Sequence, residues 1–79
     1  MITKYIEQAL KRARYEQLED KSFAATVNGL RGVIGVTRTL EDCRRKLAEV
    51  VEEWILVRVA HDQPIPKLGH VTIRVKRAG

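Results

Sequence analysis

The apolar residues at the start of the chain repeat with the period of a helix. They recur at spacings of three and four, which places them on one face: Ile2, Tyr5, Ile6, Ala9, Leu10 and Ala13. Charged side chains at Lys4, Glu7 and Lys11 occupy the other face. The pattern predicts an amphipathic helix over residues 2–13.

The period changes to two after this helix. Phe23, Ala25 and Val27 alternate onto one face of a short segment, which is typical of a half-buried strand. A polar turn precedes this segment, and the pair Asn28-Gly29, which accepts positive φ, follows it. We therefore predict three strands in an antiparallel meander, over residues 14–18, 23–27 and 33–37.

A second, longer helix is predicted to begin after Thr39. The Thr39 hydroxyl can cap an N–H group, and the carboxylates of Glu41 and Asp42 suit the positive end of a helix. The pattern continues to about His61. The apolar stripe that we expect to cover the sheet comprises Leu40, Cys43, Leu47, Val50, Trp54 and Val57, widened by Ala48, Val51 and Ile55.

The last part of the chain predicts an extended connector and a strand. Pro64-Ile65-Pro66 is incompatible with continued helix. In residues 71–76 apolar and polar side chains alternate without exception, as in an edge strand. The predicted fold class is α+β: an N-terminal helix, a three-stranded antiparallel meander, a long helix packed on the sheet and a C-terminal edge strand, in a single domain over residues 1–79.

Length and charge narrow the function. At 79 residues the chain has room for one small core, and no stretch is apolar enough to predict a membrane span or a secretory signal, so we expect a cytoplasmic protein. The net charge of +5 divides into +3 over residues 1–38, −2 over 39–63 and +4 over 64–79. Such a balance permits nucleic-acid contact.

A short basic ridge near the C-terminus carries part of this charge. It consists of Arg74, Lys76 and Arg77. Two explanations remain open: charges that protect a solvated edge strand from aggregation, or contacts to nucleic-acid phosphates.

The residues that could support catalysis do not form a recognisable site. The carboxylates are scattered over turns and helix ends, and His61 and His70 lack the spacing of a metal site. Cys43 is the single cysteine and falls on an apolar stripe, which predicts a buried thiol. We expect a protein without catalytic activity, metal or cofactor.

Apolar surface at the end of the long helix indicates a partner. Leu56 projects about 160° from Leu40 on a helical wheel, so one sheet cannot cover all of residues 54–57. The alternative is that Leu56 is an ordinary exposed leucine. Arg58 lies near the inward stripe and must extend to solvent, pair within the chain or contact that partner.

Several motifs, in their order along the chain, resemble the HicB-type antitoxin family. They are Asn28-Gly29-Leu30-Arg31-Gly32-Val33 after a hairpin, Thr39-Leu40-Glu41-Asp42-Cys43 at a helix start, and Pro64-Ile65-Pro66 at its exit. The resemblance covers nearly the whole chain and is to the small, stand-alone members, which have a partial RNase H-like fold. It implies a non-catalytic protein that neutralises a small mRNA-cleaving toxin of the HicA type and forms dimers or tetramers.

The chain departs from the family pattern at two places. Asn28 stands where the family usually has proline, and only residues 67–79 stand where longer members have a DNA-binding domain. We therefore expect any duplex binding to be weak and indifferent to sequence.

Three functions are compatible with the sequence. The first is an antitoxin that contacts its toxin through the acidic helix face and its apolar neighbour, namely Glu49, Glu52, Glu53 and Leu56. The second is a small basic nucleic-acid-binding protein, and the third is a structural homo-oligomer without a toxin. Genomic adjacency to a short basic reading frame would separate the first from the third.

Overall fold

The computed structural model describes residues 2–73, which form two helices and one sheet. The elements follow in the order α1 (Ile2–Lys11), β1 (Ala13–Gln17), β2 (Phe23–Val27), β3 (Ile34–Thr37) and α2 (Leu40–Ala60). This arrangement confirms the predicted α+β class. The second strand has the predicted bounds, whereas the first begins one residue earlier and the third one residue later than predicted.

The three strands form an antiparallel sheet with the order β1-β2-β3. Tyr15 pairs with Ala25, and Ala25 pairs with Gly35, so one row of the sheet becomes progressively smaller toward β3. The β1–β2 turn is held by Asp20, whose carboxylate accepts hydrogen bonds from the hydroxyl and amide of Ser22. These bonds favour the ionised form and lower the pKa of Asp20.

Helix α2 packs on the face of the sheet where Gly35 lies. A Cβ atom on Gly35 would lie 3.4 Å from the backbone nitrogen of Leu47, so the missing side chain lets the helix approach closely. The buried residues of α2 recur every four positions along one line: Cys43, Leu47, Val51 and Ile55. This line is the centre of the contact with the core.

Two members of the predicted stripe lie outside the core. Leu40 is 50% exposed and Val57 is 55% exposed, so the prediction that both face the sheet was wrong. Leu40 is the first residue of α2 and lies about one turn before Cys43, the first buried residue of that helix. Val57 lies about 200° around the helix from the buried Ile55, so its side chain faces away from the core.

The ends of α2 are capped largely as predicted. The Thr39 hydroxyl accepts a hydrogen bond from the amide of Asp42 at 3.1 Å, which confirms its role as the N-cap. At the other end the His61 amide donates to the carbonyl of Val57, and Asp62 has a positive φ of 53°. The chain therefore turns sharply out of the helix before the proline segment.

Helix α1 and the segment after α2 complete the core. Tyr5 and Ala9 of α1 are fully buried, and α1 packs against α2. The segment that follows α2 contributes three further buried side chains, Ile65, Leu68 and Val71. The core therefore draws on both helices, the sheet and this last segment.

The predicted C-terminal strand is not seen in the described residues. Val71 forms an isolated antiparallel bridge with Leu68, and residues 72–73 belong to no strand. The remaining positions of that prediction, including the basic ridge of Arg74, Lys76 and Arg77, lie outside the described residues. Over residues 2–73, neither helix has the length and apolar character needed to cross a membrane.

Candidate functional site

The outward face of α2 carries the residues that the sequence predicted to bind a partner. Glu49, Glu52, Glu53 and Leu56 follow one another at helical spacing on the side opposite Leu47, Val51 and Ile55. All four are exposed, and Leu56 has 54% of its surface in solvent. We call these four residues the acidic stripe.

The glutamates of the acidic stripe make no ion pair with any residue between positions 2 and 73. The salt bridge of this helix joins Asp42 and Arg45 at 3.7 Å, and both residues lie at least one turn closer to the N-terminus than the acidic stripe does. The stripe therefore presents three carboxylates and one leucine that this part of the chain leaves without partners.

The neighbouring Trp54 and Arg58 are used within the chain. The indole N–H of Trp54 donates to the carbonyl of Arg31 at 3.1 Å, and the guanidinium of Arg58 lies 4.4 Å from the centroid of the Trp54 ring. Arg58 also donates to the carbonyl of Pro64 at 3.0 Å. Of the three fates considered for Arg58, pairing within the chain is the one observed. Of residues 54–57, only Leu56 and Val57 are left exposed.

Tyr5 holds the segment after α2 from the opposite side, a role that the sequence analysis missed. Its hydroxyl donates to the carbonyl of Pro66, 61 positions along the chain. Burial raises the pKa of Tyr5, and the positive charge of Arg58 acts in the opposite direction. The signal was present in the sequence, since a tyrosine on an apolar helix face usually needs a hydrogen-bond partner.

The sheet has a second, outward face that the sequence analysis did not single out. Ile34 and Val36 of β3 point away from α2 and are 53% and 51% exposed. The strand register places them in two rows across the sheet, Arg14–Thr26–Ile34 and Glu16–Ala24–Val36. We call these six residues the outer sheet face.

A basic cleft opens where three distant segments meet. Its volume is about 460 Å³. Three cationic side chains line it, Arg12, Arg14 and Lys67, and the remaining lining residues are Asn28, Gly29, Pro66, Leu68 and Gly69. None of the lining residues between positions 2 and 73 is acidic. Sequence analysis did not predict this cleft, because its first and last segments lie more than fifty positions apart.

The thiol and the metal-ligating side chain types considered for catalysis do not come together as a site in the described part of the chain. The Cys43 thiol is fully buried and lies 3.4 Å from the carbonyl of Gly35, which confirms the predicted buried thiol. Within the part of the chain that the structure describes, no three His, Cys, Asp or Glu side chains are grouped closely enough to hold a metal ion.

Comparison with known proteins gives a family and a structural relative. The model of the UPF0150-like family matches residues 4–66. The crystal structure of TTHA0281 from Thermus thermophilus is similar to this chain, with a TM-score of 0.86 and 31% sequence identity over 96% of this chain and 95% of that one. None of the curated proteins matches. Since the family model spans most of the chain, from α1 to the end of the proline segment, this protein belongs to the UPF0150-like family.

Proposed function

We propose that this protein is a HicB-type antitoxin: a non-catalytic protein that binds a small, mRNA-cleaving toxin of the HicA type and neutralises it in the cytoplasm. The motif resemblance and the UPF0150-like family support this proposal. The observation that carries it is the acidic stripe, a row of exposed carboxylates with an exposed leucine on the rigid outer face of α2.

The chemistry of the stripe suits a partner that binds RNA. A toxin that cleaves mRNA must attract a polyanion, so its substrate surface carries cations. Carboxylates at Glu49, Glu52 and Glu53 can take the places of phosphates on that surface, while Leu56 supplies an apolar contact that water cannot replace. Inhibition then needs only occlusion of the toxin, and the antitoxin itself performs no chemistry.

The distribution of charge makes this a local interaction. The whole chain carries +5, which opposes long-range attraction to a basic partner, whereas the segment 39–63 carries −2. We therefore expect the stripe to act mainly by slowing dissociation once contact is made.

The test has two steps. The gene of this protein should lie beside a short reading frame for a basic, HicA-type toxin, and that toxin, made inactive by substitution, should bind this protein in calorimetry. We expect Glu49→Gln/Glu53→Gln and Leu56→Ala each to weaken binding at least tenfold, because each removes contacts from the centre of the proposed interface. The same two variants should also restore RNA cleavage by the active toxin, because each binds the toxin more weakly than the wild-type protein does.

The matched control removes the same charge elsewhere. Glu7→Gln/Glu19→Gln alters two exposed glutamates away from the stripe and should leave binding within about twofold of the wild type. Equal weakening by both double variants would reject the stripe as the contact surface. Absence of binding by the folded wild-type protein would reject the antitoxin function.

A further inference from the structure

We propose that the basic cleft binds the phosphate groups of a nucleic-acid strand. This site is distinct from the acidic stripe and does not depend on the antitoxin function. It also differs from the predicted basic ridge of Arg74, Lys76 and Arg77, since its cations come from the start of the sheet and from the proline segment.

The charge of the cleft is uncompensated. Arg12, Arg14 and Lys67 line one cavity, no carboxylate lines it with them, and none of the three forms an ion pair with another residue between positions 2 and 73. Like charges that converge without a counterion repel one another, and a bound anion removes that repulsion. Phosphate, which offers several oxygen acceptors to arginine and lysine, fits such a group of donors.

The cleft is held in shape by the core beneath it. The Leu68–Val71 bridge closes the turn on its rim with two backbone hydrogen bonds of 3.1 and 2.9 Å, and both side chains are buried. Tyr5 holds the adjoining Pro66 carbonyl. The backbone of the rim is therefore in place before a ligand arrives, and ordering is needed mainly in the exposed side chains of Arg12, Arg14 and Lys67.

Gly69 brings the rim close to one of the cations. A Cβ atom on Gly69 would lie 2.9 Å from a terminal nitrogen of Arg12, and the positive φ of 57° also favours glycine at this position. The guanidinium thus rests against the turn, and the bare backbone of Gly29 lines the same cleft. A phosphate can approach this backbone because no side chain covers it.

The lining favours a strand backbone over a base. Among the residues that the structure describes, it contains no aromatic side chain on which a base could stack, so recognition rests on phosphate rather than on sequence. The three cations line one open cleft of about 460 Å³, which suits successive phosphates of a strand. We expect binding that is weak, salt-sensitive and indifferent to base order.

The test uses the isolated full-length chain and a fluorescently labelled oligouridylate of about twelve nucleotides, a length within the site sizes of single-strand-binding modules. Binding is followed by fluorescence anisotropy at several salt concentrations. We expect Arg12→Gln and Lys67→Gln each to weaken binding about fivefold, as lost exposed charge contacts do. Each should also reduce the slope of log K against log salt by about 0.7. The control is Arg38→Gln, which removes the same charge just beyond the end of β3, outside the cleft, and should change binding less than about twofold.

A second measurement does not depend on variants. Amide chemical shifts of the wild-type protein, titrated with the same RNA, should change most at Gly29 and Gly69. Equal weakening by Arg38→Gln, or shift changes spread evenly over the surface, would overturn the site. Displacement of the RNA by uridine monophosphate at equal phosphate concentration would assign the cleft to free nucleotides and also overturn the proposal.

Discussion

Tyr5 joins the first helix to the segment that follows the last one. Its ring is fully buried, and its hydroxyl reaches the carbonyl of Pro66, while Arg58 holds the carbonyl of Pro64. Two side chains from different helices thus bind alternate carbonyls of one short proline segment. Because proline lacks an N–H group, such a segment depends on its carbonyls for polar anchoring.

The burial of Tyr5 gives stability a specific pH dependence. Burial raises the pKa of Tyr5, so the unfolded chain loses that proton at about pH 10 while the folded chain still holds it. The contribution of Tyr5 is therefore complete below about pH 10 and is lost as pH rises through the higher folded pKa. We expect Tyr5→Phe to lower the free energy of unfolding by about 1 kcal/mol at pH 8 and to reduce its decline at alkaline pH.

Urea unfolding at pH 8 and at about pH 11, one unit above the ordinary pKa of tyrosine, measures both effects. The control is Tyr15→Phe, because the Tyr15 hydroxyl is buried without a hydrogen-bond partner among the described residues and its removal breaks no bond. An alkaline decline in Tyr5→Phe as steep as in the wild type would contradict the assignment.

At the scale of elements, the contact between β3 and α2 depends on the absence of a side chain at Gly35. The backbone of Leu47 and the Cγ atom of Lys46 both lie 3.4 Å from where a Cβ would stand. A glycine ordinarily weakens a strand, so its presence here is explained by the close approach of the helix. The distance allows one methyl group with a small adjustment and leaves no room for a branched side chain.

We therefore expect Gly35→Ala to change the free energy of unfolding by less than about 1 kcal/mol and Gly35→Val to lower it by about 1–3 kcal/mol through overpacking. Thermal and urea unfolding measure the difference. Gln17→Val is the matched control, since it places the same branched side chain at an exposed position of β1, outside the outer sheet face, and should be nearly neutral. Similar stabilities for the alanine and valine variants at Gly35 would show that the helix lies farther from the sheet.

At the scale of the whole molecule, the protein exposes apolar residues on two opposite sides. Leu56, Val57 and Val59 are exposed toward the end of α2, and Ile34 and Val36 are exposed on the outer sheet face. A chain of this size buries only about 60% of the surface that its unfolded form exposes, so apolar residues remain outside its core. We propose that the side with the acidic stripe contacts the toxin and that the other contacts a second copy of this chain.

The outer sheet face is self-complementary. Ile34 and Val36 lie on it two positions apart in β3, so a two-fold axis between copies can bring Ile34 of each copy to Val36 of the other. We expect a dimer at tens of micromolar, where an association free energy of about −8 kcal/mol still populates it. Ile34→Thr/Val36→Thr should shift the protein toward monomer because it removes the apolar part of the contact.

Sedimentation equilibrium of the isolated protein measures this association. Leu56→Ala serves as the control, since it alters an equally exposed residue on the other side and should leave the dimer intact. A folded 9.0 kDa monomer at these concentrations would contradict self-association. Loss of the dimer in Leu56→Ala alone would move the interface to α2.

The sequence by itself determined the two helices and the three strands of the sheet, because helices, strands and caps depend on neighbours within a few residues. The bounds of β2 and the cap at Thr39 were predictable for that reason. The acidic stripe was equally predictable, since residues at i, i+3, i+4 and i+7 share a helix face wherever the helix lies. Only the tertiary structure decided which residues of α2 the sheet covers, that Arg58 pairs with Trp54 rather than with a partner, and that Arg12 and Lys67 line one cleft. Those outcomes depend on the lengths, angles and close approaches of packed elements, which the local periodicity of the sequence does not encode.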